Sequence, residues 1–174
     1  MKKEQRARKK RLTLRRLKQA LHYNPETGVF TWLIQCAHRN KPGTTAGTRD
    51  SKTGYITIGI DNGTYLAHRL AWFYMKSVWP RRQIDHRDLC RPNNVWTNLR
   101  PASHGQNVQN SGARKRNASG LKGAYFSKEK KKWHSRIMCL GKLYLLGYFE
   151  TSQEAHSAYA AAAAKLHGQF ARVA

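Results

Sequence analysis

The alternation of apolar and polar positions changes character several times along the chain. Leu14, Leu17 and Leu21 recur at helical spacing with Lys and Arg between them, which predicts a helix over residues 13–22. Asn24-Pro25-Glu26-Thr27-Gly28 then reads as a turn. Residues 29–34 (VFTWLI) suit a strand, and after a Gly/Thr-rich loop from Pro42 to Gly47, residues 55–60 (YITIGI) alternate like a strand buried on one face. Asp61-Asn62-Gly63 predicts a tight hairpin, because Asn and Gly accept positive φ readily, and Thr64 to Ala67 form the returning strand. His68 to Met75 (HRLAWFYM) has the pattern of a buried helix, closed off by Pro80. From Arg81 to Asn110 the periodicity disappears and Asp, His and Asn accumulate, as in an irregular, site-bearing segment.

Regular patterning returns near the C-terminus. Residues 122–126, 132–138 and 142–149 read as strands, the last (KLYLLGYF) carrying the aromatic and apolar residues that suit a pleated surface. Thr151-Ser152-Gln153-Glu154 has the form of a capping box, and the helix it opens carries Ala155, Ala158, Tyr159, Ala162 and Leu166 on one stripe. The small alanines allow close approach to a sheet. The fold class is therefore α+β, ending in a small three-stranded antiparallel sheet packed on one helix. Four segments are expected: a basic flexible tail (1–11), a domain over 12–110, a basic linker over 111–119 (SGARKRNAS), and a second domain over 120–174.

Charge narrows the choice of partner. Lys and Arg number 33 against 9 Asp and Glu, a net charge of +24. Such an excess of one sign costs self-repulsion that a polyanion relieves. Nucleic acid is the first candidate, since neutralising phosphates releases counterions and supplies sequence-independent affinity. An anionic membrane surface or an RNA scaffold also satisfies the charge. Cys36, Cys90 and Cys139 are odd in number and far apart, with no CxxC pair, which argues against a disulfide framework. Cys36 and His38 offer at most two ligands of a scattered zinc site. No secretory signal and no apolar run of the ~20 residues a membrane span needs is evident, so a soluble intracellular protein without a membrane partner or a small-molecule substrate is expected.

The candidate chemistry lies in the irregular segment. Asp85 and Asp88 flank His86, and Asn93, Asn94, Asn98 and Asn107 follow. Phosphodiester hydrolysis needs an activated water and stabilisation of charge on phosphate and leaving oxygen. A hard divalent cation supplies the latter through oxygen ligands, and a histidine supplies the base. In a regular strand Asp85 and His86 point to opposite faces, so an irregular backbone is expected if both serve one site. Structural alternatives stand beside these roles: Asp85 capping a turn, Asp88 pairing with Arg91, and His68 packing at a helix start rather than orienting the segment or touching phosphate. His104, His134, His156 and His167 read as surface or packing residues.

The order Asp85-His86, Asn98-Leu99-Arg100 and Asn107 resembles the signature of HNH (ββα-metal) endonucleases, and His68-Arg69-Leu70-Ala71-Trp72 looks like the segment that precedes it in many phage and intron-encoded members. The resemblance implies a ββα-metal core with an N-terminal β-rich extension and divalent-metal-dependent DNA cleavage. It assigns Asp85 and Asn107 to one Mg²⁺ or Mn²⁺ ion, His86 to general base, Asn98 to holding His86 and its loop, and Asn94 to a structural place in that loop. The sequence departs from the common pattern at Leu89-Cys90-Arg91-Pro92, where relatives often have a Gly-rich turn, and at Pro101.

Residues 120–170 resemble the AP2-type DNA-binding domain, through Gly120 to Tyr125, Lys132 to Ile137, Leu146 to Phe149, and Glu154 to Tyr159 with the alanine helix. In that family a three-stranded sheet enters the major groove. DNA contacts are accordingly expected from Lys122, Tyr125, Lys132, Trp133, Arg136 and Lys142 here, and from Arg69 and Arg100 in the first domain. Trp133 has core packing as its structural alternative. The function expected is a homing-type or phage-encoded endonuclease acting on double-stranded DNA, nicking as a monomer or cutting both strands as a weak dimer. The alternative is a non-catalytic AP2-type DNA-binding regulator with a degenerate nuclease core.

Overall fold

The computed structural model describes residues 12–38, 40–113 and 117–172. The expected basic tail (1–11) and the centre of the expected linker (114–116) lie outside the described residues. The chain divides into two compact units, one up to Pro101 and one from Ala102. The division thus falls some ten residues ahead of the linker that the sequence suggests.

In the first unit, helix α1 (Leu14–Ala20) starts at Thr13, whose hydroxyl accepts from the Arg16 amide. It ends sooner than its leucine spacing suggests. Leu21 is already extended, with φ −135° and ψ 140°, and opens strand β1 (Leu21–Tyr23). Strand β1 pairs antiparallel with β2 (Phe30–Trp32), bringing Tyr23 opposite Phe30. A second sheet has the order β3-β4-β5: Thr48–Arg49, Ile56–Ile60 and Gly63–Leu66. The β4–β5 turn uses Asp61 and Asn62, both at positive φ (46° and 63°), the pair of angles a two-residue type I′ hairpin requires. Helix α2 (Ala67–Lys76) buries Ala67, His68, Leu70, Ala71 and Phe73, and stops where Ser77 turns left-handed. Leu17, Leu21, Tyr23, Phe30, Ile58, Ile60 and Leu70 form the fully buried centre.

The segment from Arg81 onward is not irregular throughout. It contains β6 (Gln83–His86), a 3₁₀ turn η1 (Trp96–Asn98) and β7 (Leu99–Ala102), with β6 and β7 forming a two-stranded sheet. These elements are three or four residues long, too short for periodicity to register.

The N-terminal hairpin reaches the loop between β6 and η1. Tyr23 Oη donates to the Asn94 carbonyl at 2.6 Å, and the Trp96 amide donates to the Pro25 carbonyl at 2.9 Å. Gly28, at φ +72°, lies against the Asn94–Val95 peptide so closely that an added Cβ would fall 2.3 Å from Asn94 C and Val95 N. Glycine is needed there for its missing side chain as well as for its backbone angle.

The second unit begins with α3 (His104–Asn110), opened by a capping box between Ser103 and Gln106. Strands β8 (Ala124–Ser127), β9 (Lys132–Cys139) and β10 (Lys142–Phe149) form an antiparallel sheet in the order β10-β9-β8. Helix α4 (Ser152–His167) carries the Thr151–Glu154 capping box and packs on this sheet, with Ile137, Tyr159 and Ala163 in the buried cluster. A short 3₁₀ turn, η2 (Gly168–Phe170), follows. The element order β-β-β-α matches the sequence reading closely, because strands and helix are here long enough for their periods to show.

Gly28 and Gly43 make a controlled comparison. Both have left-handed φ (72° and 83°), yet among the described residues nothing lies within 4 Å of a Cβ at Gly43. Gly28→Ala is expected to destabilise the first unit by roughly 1–3 kcal/mol more than Gly43→Ala, since only Gly28 adds a clash to the shared conformational cost. Urea denaturation of the two variants measures the difference.

Candidate active site around His86

His86 ends β6, and the chain turns only at Arg87. Ile84, Asp85 and His86 are all buried, so both faces of this short strand are covered. The irregular backbone expected between Asp85 and His86 is not present. Alternation sends the two side chains to opposite sides of the strand.

On one side, Asp85 meets Arg100 of β7. The Arg100 Nε donates to Asp85 Oδ2 at 2.9 Å, with side-chain exposures of only 5% and 4%. Arg100 is therefore not the surface DNA contact that the sequence suggested. Buried carboxylates require a compensating charge, and the guanidinium supplies it. Removing either partner alone would take this compensation from the other charge in a low-dielectric interior.

On the other side, the His86 ring lies 5.0 Å from the His68 ring in an edge arrangement and 5.9 Å from Tyr55. His86 Nε2 stands 3.2 Å from Asn94 Oδ1, while Asn94 Nδ2 donates to the Pro92 carbonyl. The Pro92 bond sets the amide so that its oxygen faces the imidazole. An amide oxygen only accepts, so Nε2 carries the proton and Nδ1 is the basic nitrogen. Asn94, read from sequence as a loop residue, is thus the direct partner of the imidazole. The sequence carries no signal separating it from Asn93 or Asn98.

Asn98, expected to hold His86 and its loop, holds the loop through Asp88. Its Nδ2 donates to Asp88 Oδ1 and to the Asn93 carbonyl, both at 2.9 Å, and its Oδ1 accepts from the Asp88 amide. Asp88 also accepts from Asn93 Nδ2 at 2.6 Å and from the Cys90 amide at 2.8 Å. The expected alternative pairing of Asp88 with Arg91 gives way to this network. Arg91 instead donates to the Thr53 carbonyl and lies over the Tyr55 ring. The Asp88 hub orders the loop without a glycine, and Leu89 takes up positive φ (63°) within it. Burial raises the Asp88 carboxyl, but the Asn93, Asn98 and Cys90 hydrogen bonds and nearby His86 outweigh it and hold it below the ordinary carboxylate value.

Burial also keeps both histidines neutral. It lowers His86 despite opposing contributions from the Asn94 bond, Asp88 and Asp85. It lowers His68 to about 3, with His86 and Arg69 adding to the effect. His68 is 4% exposed and its Nδ1 has no hydrogen-bond partner among the described residues, so it is a packed member of the cluster rather than a surface phosphate contact. Arg69 is half-buried and donates to the Pro80 and Arg82 carbonyls, bracing the path from α2 to β6 instead of presenting itself to DNA. Asn107 lies half-buried on α3 in the second unit.

The second unit presents a different surface. Register places Tyr125 opposite His134 and His134 opposite Tyr148, so the three rings run across the outer strands and the centre of the sheet. Successive centroids are 5.7 and 6.0 Å apart. Arg136 lies over Tyr125 at 4.4 Å and Lys130 over Tyr148 at 4.2 Å. Exposed Lys132 and Arg136 share the parity of His134, and Ile137, in the core with α4, has the opposite parity. Trp133 shares the parity of Ile137 and packs edge-on against Phe126, so it does not join the ring row. Lys142 is exposed, and Lys132 pairs with Glu150 at 2.6 Å. Lys122 turns away from this surface to bind the carbonyl oxygens of Gln109 and Ser111. His156 bonds the Lys122 carbonyl and His167 the Met138 carbonyl, both in packing roles.

The family model for HNH endonucleases matches residues 65–109, which include α2, β6, β7 and most of α3. No curated protein matches the chain. The match supports a nuclease whose substrate is nucleic acid. Among the described residues, no helix is long and apolar enough to cross a membrane.

The buried histidines make stability depend on pH. Below about 6.5 the unfolded chain binds a proton at His68 that the folded chain refuses until about 3, so stability falls as pH drops through this interval. His86 contributes with the same sign. His68→Gln is expected to flatten the dependence of unfolding free energy on pH between 6.5 and 4, measured by urea denaturation at each pH.

Proposed function

We propose that the protein is a divalent-metal-dependent DNA endonuclease in which His86 is the general base. The observation that carries this reading is the neutral, buried His86 whose protonated Nε2 is tied to Asn94, inside the segment that matches HNH endonucleases. A base must be unprotonated to act, and fixing one ring nitrogen directs the other. In the proposed reaction His86 Nδ1 takes a proton from water as the water oxygen bonds to phosphorus. The bond from phosphorus to the leaving sugar oxygen breaks as that oxygen gains its proton from solvent.

The proposed metal ligands are Asp85 and Asn107, as the HNH resemblance implies, although regular β6 turns Asp85 to the side away from His86 and the one-site reading needs the end of this strand to depart from alternation. Both offer hard oxygen donors, which suit Mg²⁺ or Mn²⁺, and such ions keep several waters and need few protein ligands. Arg100 shares the Asp85 carboxylate and compensates its charge. Bound there, the ion would stabilise charge on the phosphate and on the leaving oxygen. Asn94 and Asn98 act as positioning residues, one on the imidazole and the other on the Asp88 loop.

We assign duplex DNA to the ring-lined sheet of the second unit, through Tyr125, Lys132, Arg136 and Lys142. Cations over aromatic rings bring charge and a flat apolar surface together, a combination suited to phosphate and sugar contact. The net charge of +24 favours such binding and makes it salt-dependent. The AP2-like resemblance points to the same surface, and the homing-type reading rests on the pairing of the two resemblances.

The test is conversion of supercoiled plasmid with Mg²⁺ or Mn²⁺, with and without EDTA, beside His86→Ala. Metal-dependent cleavage is expected. His86→Ala is expected to lower it about 10²–10⁴-fold with DNA affinity retained. Tight DNA binding with no cleavage under either metal would refute the nuclease assignment and leave a DNA-binding regulator.

A further inference from the structure

Like Arg69 and Arg100 in the first unit, Lys122 in the second unit is an expected DNA contact that the fold directs inward. Its side chain is half-buried, and its ammonium donates to the carbonyl oxygens of Gln109 and Ser111 at 2.5 and 2.6 Å while lying 5.8 Å from the Tyr159 ring centroid. Those carbonyls mark the C-terminal end of α3, where the last C=O groups of a helix lack intrahelical partners and the dipole is negative. The lysine itself is anchored. Its carbonyl accepts from His156 Nδ1 on α4 at 2.8 Å. The next residue, Gly123, at φ +82°, leaves no space for a side chain, since an added Cβ would fall 2.1 Å from the Tyr159 ring.

Helix α3 needs such support. It has seven residues, and helices that short do not persist in water unaided. Asn110 is its only fully buried residue, and Val108 is 48% exposed. Apolar packing therefore contributes little to holding it. Its N-terminal end is closed by the Ser103–Gln106 capping box, and its C-terminal end by Lys122. Burial lowers the lysine to about 8, with Arg172 nearby adding to the effect. The two carbonyl oxygens are the acceptors the half-buried ammonium finds there.

We propose that Lys122 is a positioning residue for nucleic-acid cleavage: its ammonium clamps the C-terminal end of α3 to the sheet–helix unit and so fixes the helix that carries Asn107. The proposal rests on the nuclease reading of His86 and Asn107. It takes Lys122 out of the DNA-contacting set and makes the C-terminal unit part of what builds the catalytic helix.

Lys122→Met keeps most of the aliphatic stem and removes the donor. Hydrogen exchange is followed in the full chain, together with cleavage of supercoiled DNA at saturating Mg²⁺. The amides of Asn107 to Asn110 are expected to exchange about tenfold faster or more, the loss of a charged hydrogen bond, with α4 and β9 as protected as before. The cleavage rate at saturating DNA should fall about tenfold while DNA affinity stays unchanged, and Lys122→Arg should recover most of both. Unchanged exchange in α3 would overturn the proposal. So would unchanged cleavage, or a loss of protection that extends to α4, which would make Lys122 a residue of the general fold. A wild-type protein that fails to cleave under either metal fails the nuclease reading instead, a result separate from the exchange measurement.

Discussion

The first unit depends on how the backbone at Asn94 is held. Tyr23 binds its carbonyl, Gly28 lies flat against the following peptide, and Pro25 receives the amide of Trp96. With the backbone held in this way, the Asn94 side chain can direct its oxygen at His86. The short N-terminal hairpin, more than fifty residues upstream of the histidine, is therefore a support for the imidazole. Hydrogen bonds to buried groups are worth most when their partners cannot move away, and here the partner is fixed from three directions.

Desolvation shapes the rest of this site. His68 and His86 are kept neutral by burial, and Asp85 is buried together with Arg100, which compensates its charge. The two faces of β6 thus hold opposite solutions to the same problem. One face excludes charge and the other pairs it. A neutral imidazole suits proton abstraction near neutral pH, and the ion pair joins β6 to β7 at little exposure. The Asp88 hub completes the arrangement by ordering the loop that links the two strands without glycine.

In the second unit, cations divide between two tasks. Arg136 and Lys130 lie over rings on the open side of the sheet, and Lys122 closes the end of α3. The difference follows from place rather than residue type. A lysine just ahead of a glycine pressed on Tyr159 has its backbone fixed toward the helix side. Lys130 on the β8–β9 turn and Arg136 at an outward position of β9 meet the exposed rings of the sheet instead.

The sequence by itself determined the elements long enough to show a period: the hairpin at Asp61-Asn62, helix α2, the three C-terminal strands and the capped helix α4. It also placed Asp85, His86 and the asparagines in one short segment, because the spacing of chemically distinctive residues survives without coordinates. It could not show which asparagine meets the imidazole, since Asn93, Asn94 and Asn98 differ only in the path of a loop held by a distant hairpin. Nor could it show that Arg69, Arg100 and Lys122 turn inward to carbonyls and a carboxylate. A cation on a highly basic chain looks like a surface residue until tertiary structure supplies the buried acceptor that compensates its desolvation. Local periodicity is written into the chain, and long-range pairing is settled only when distant segments come together.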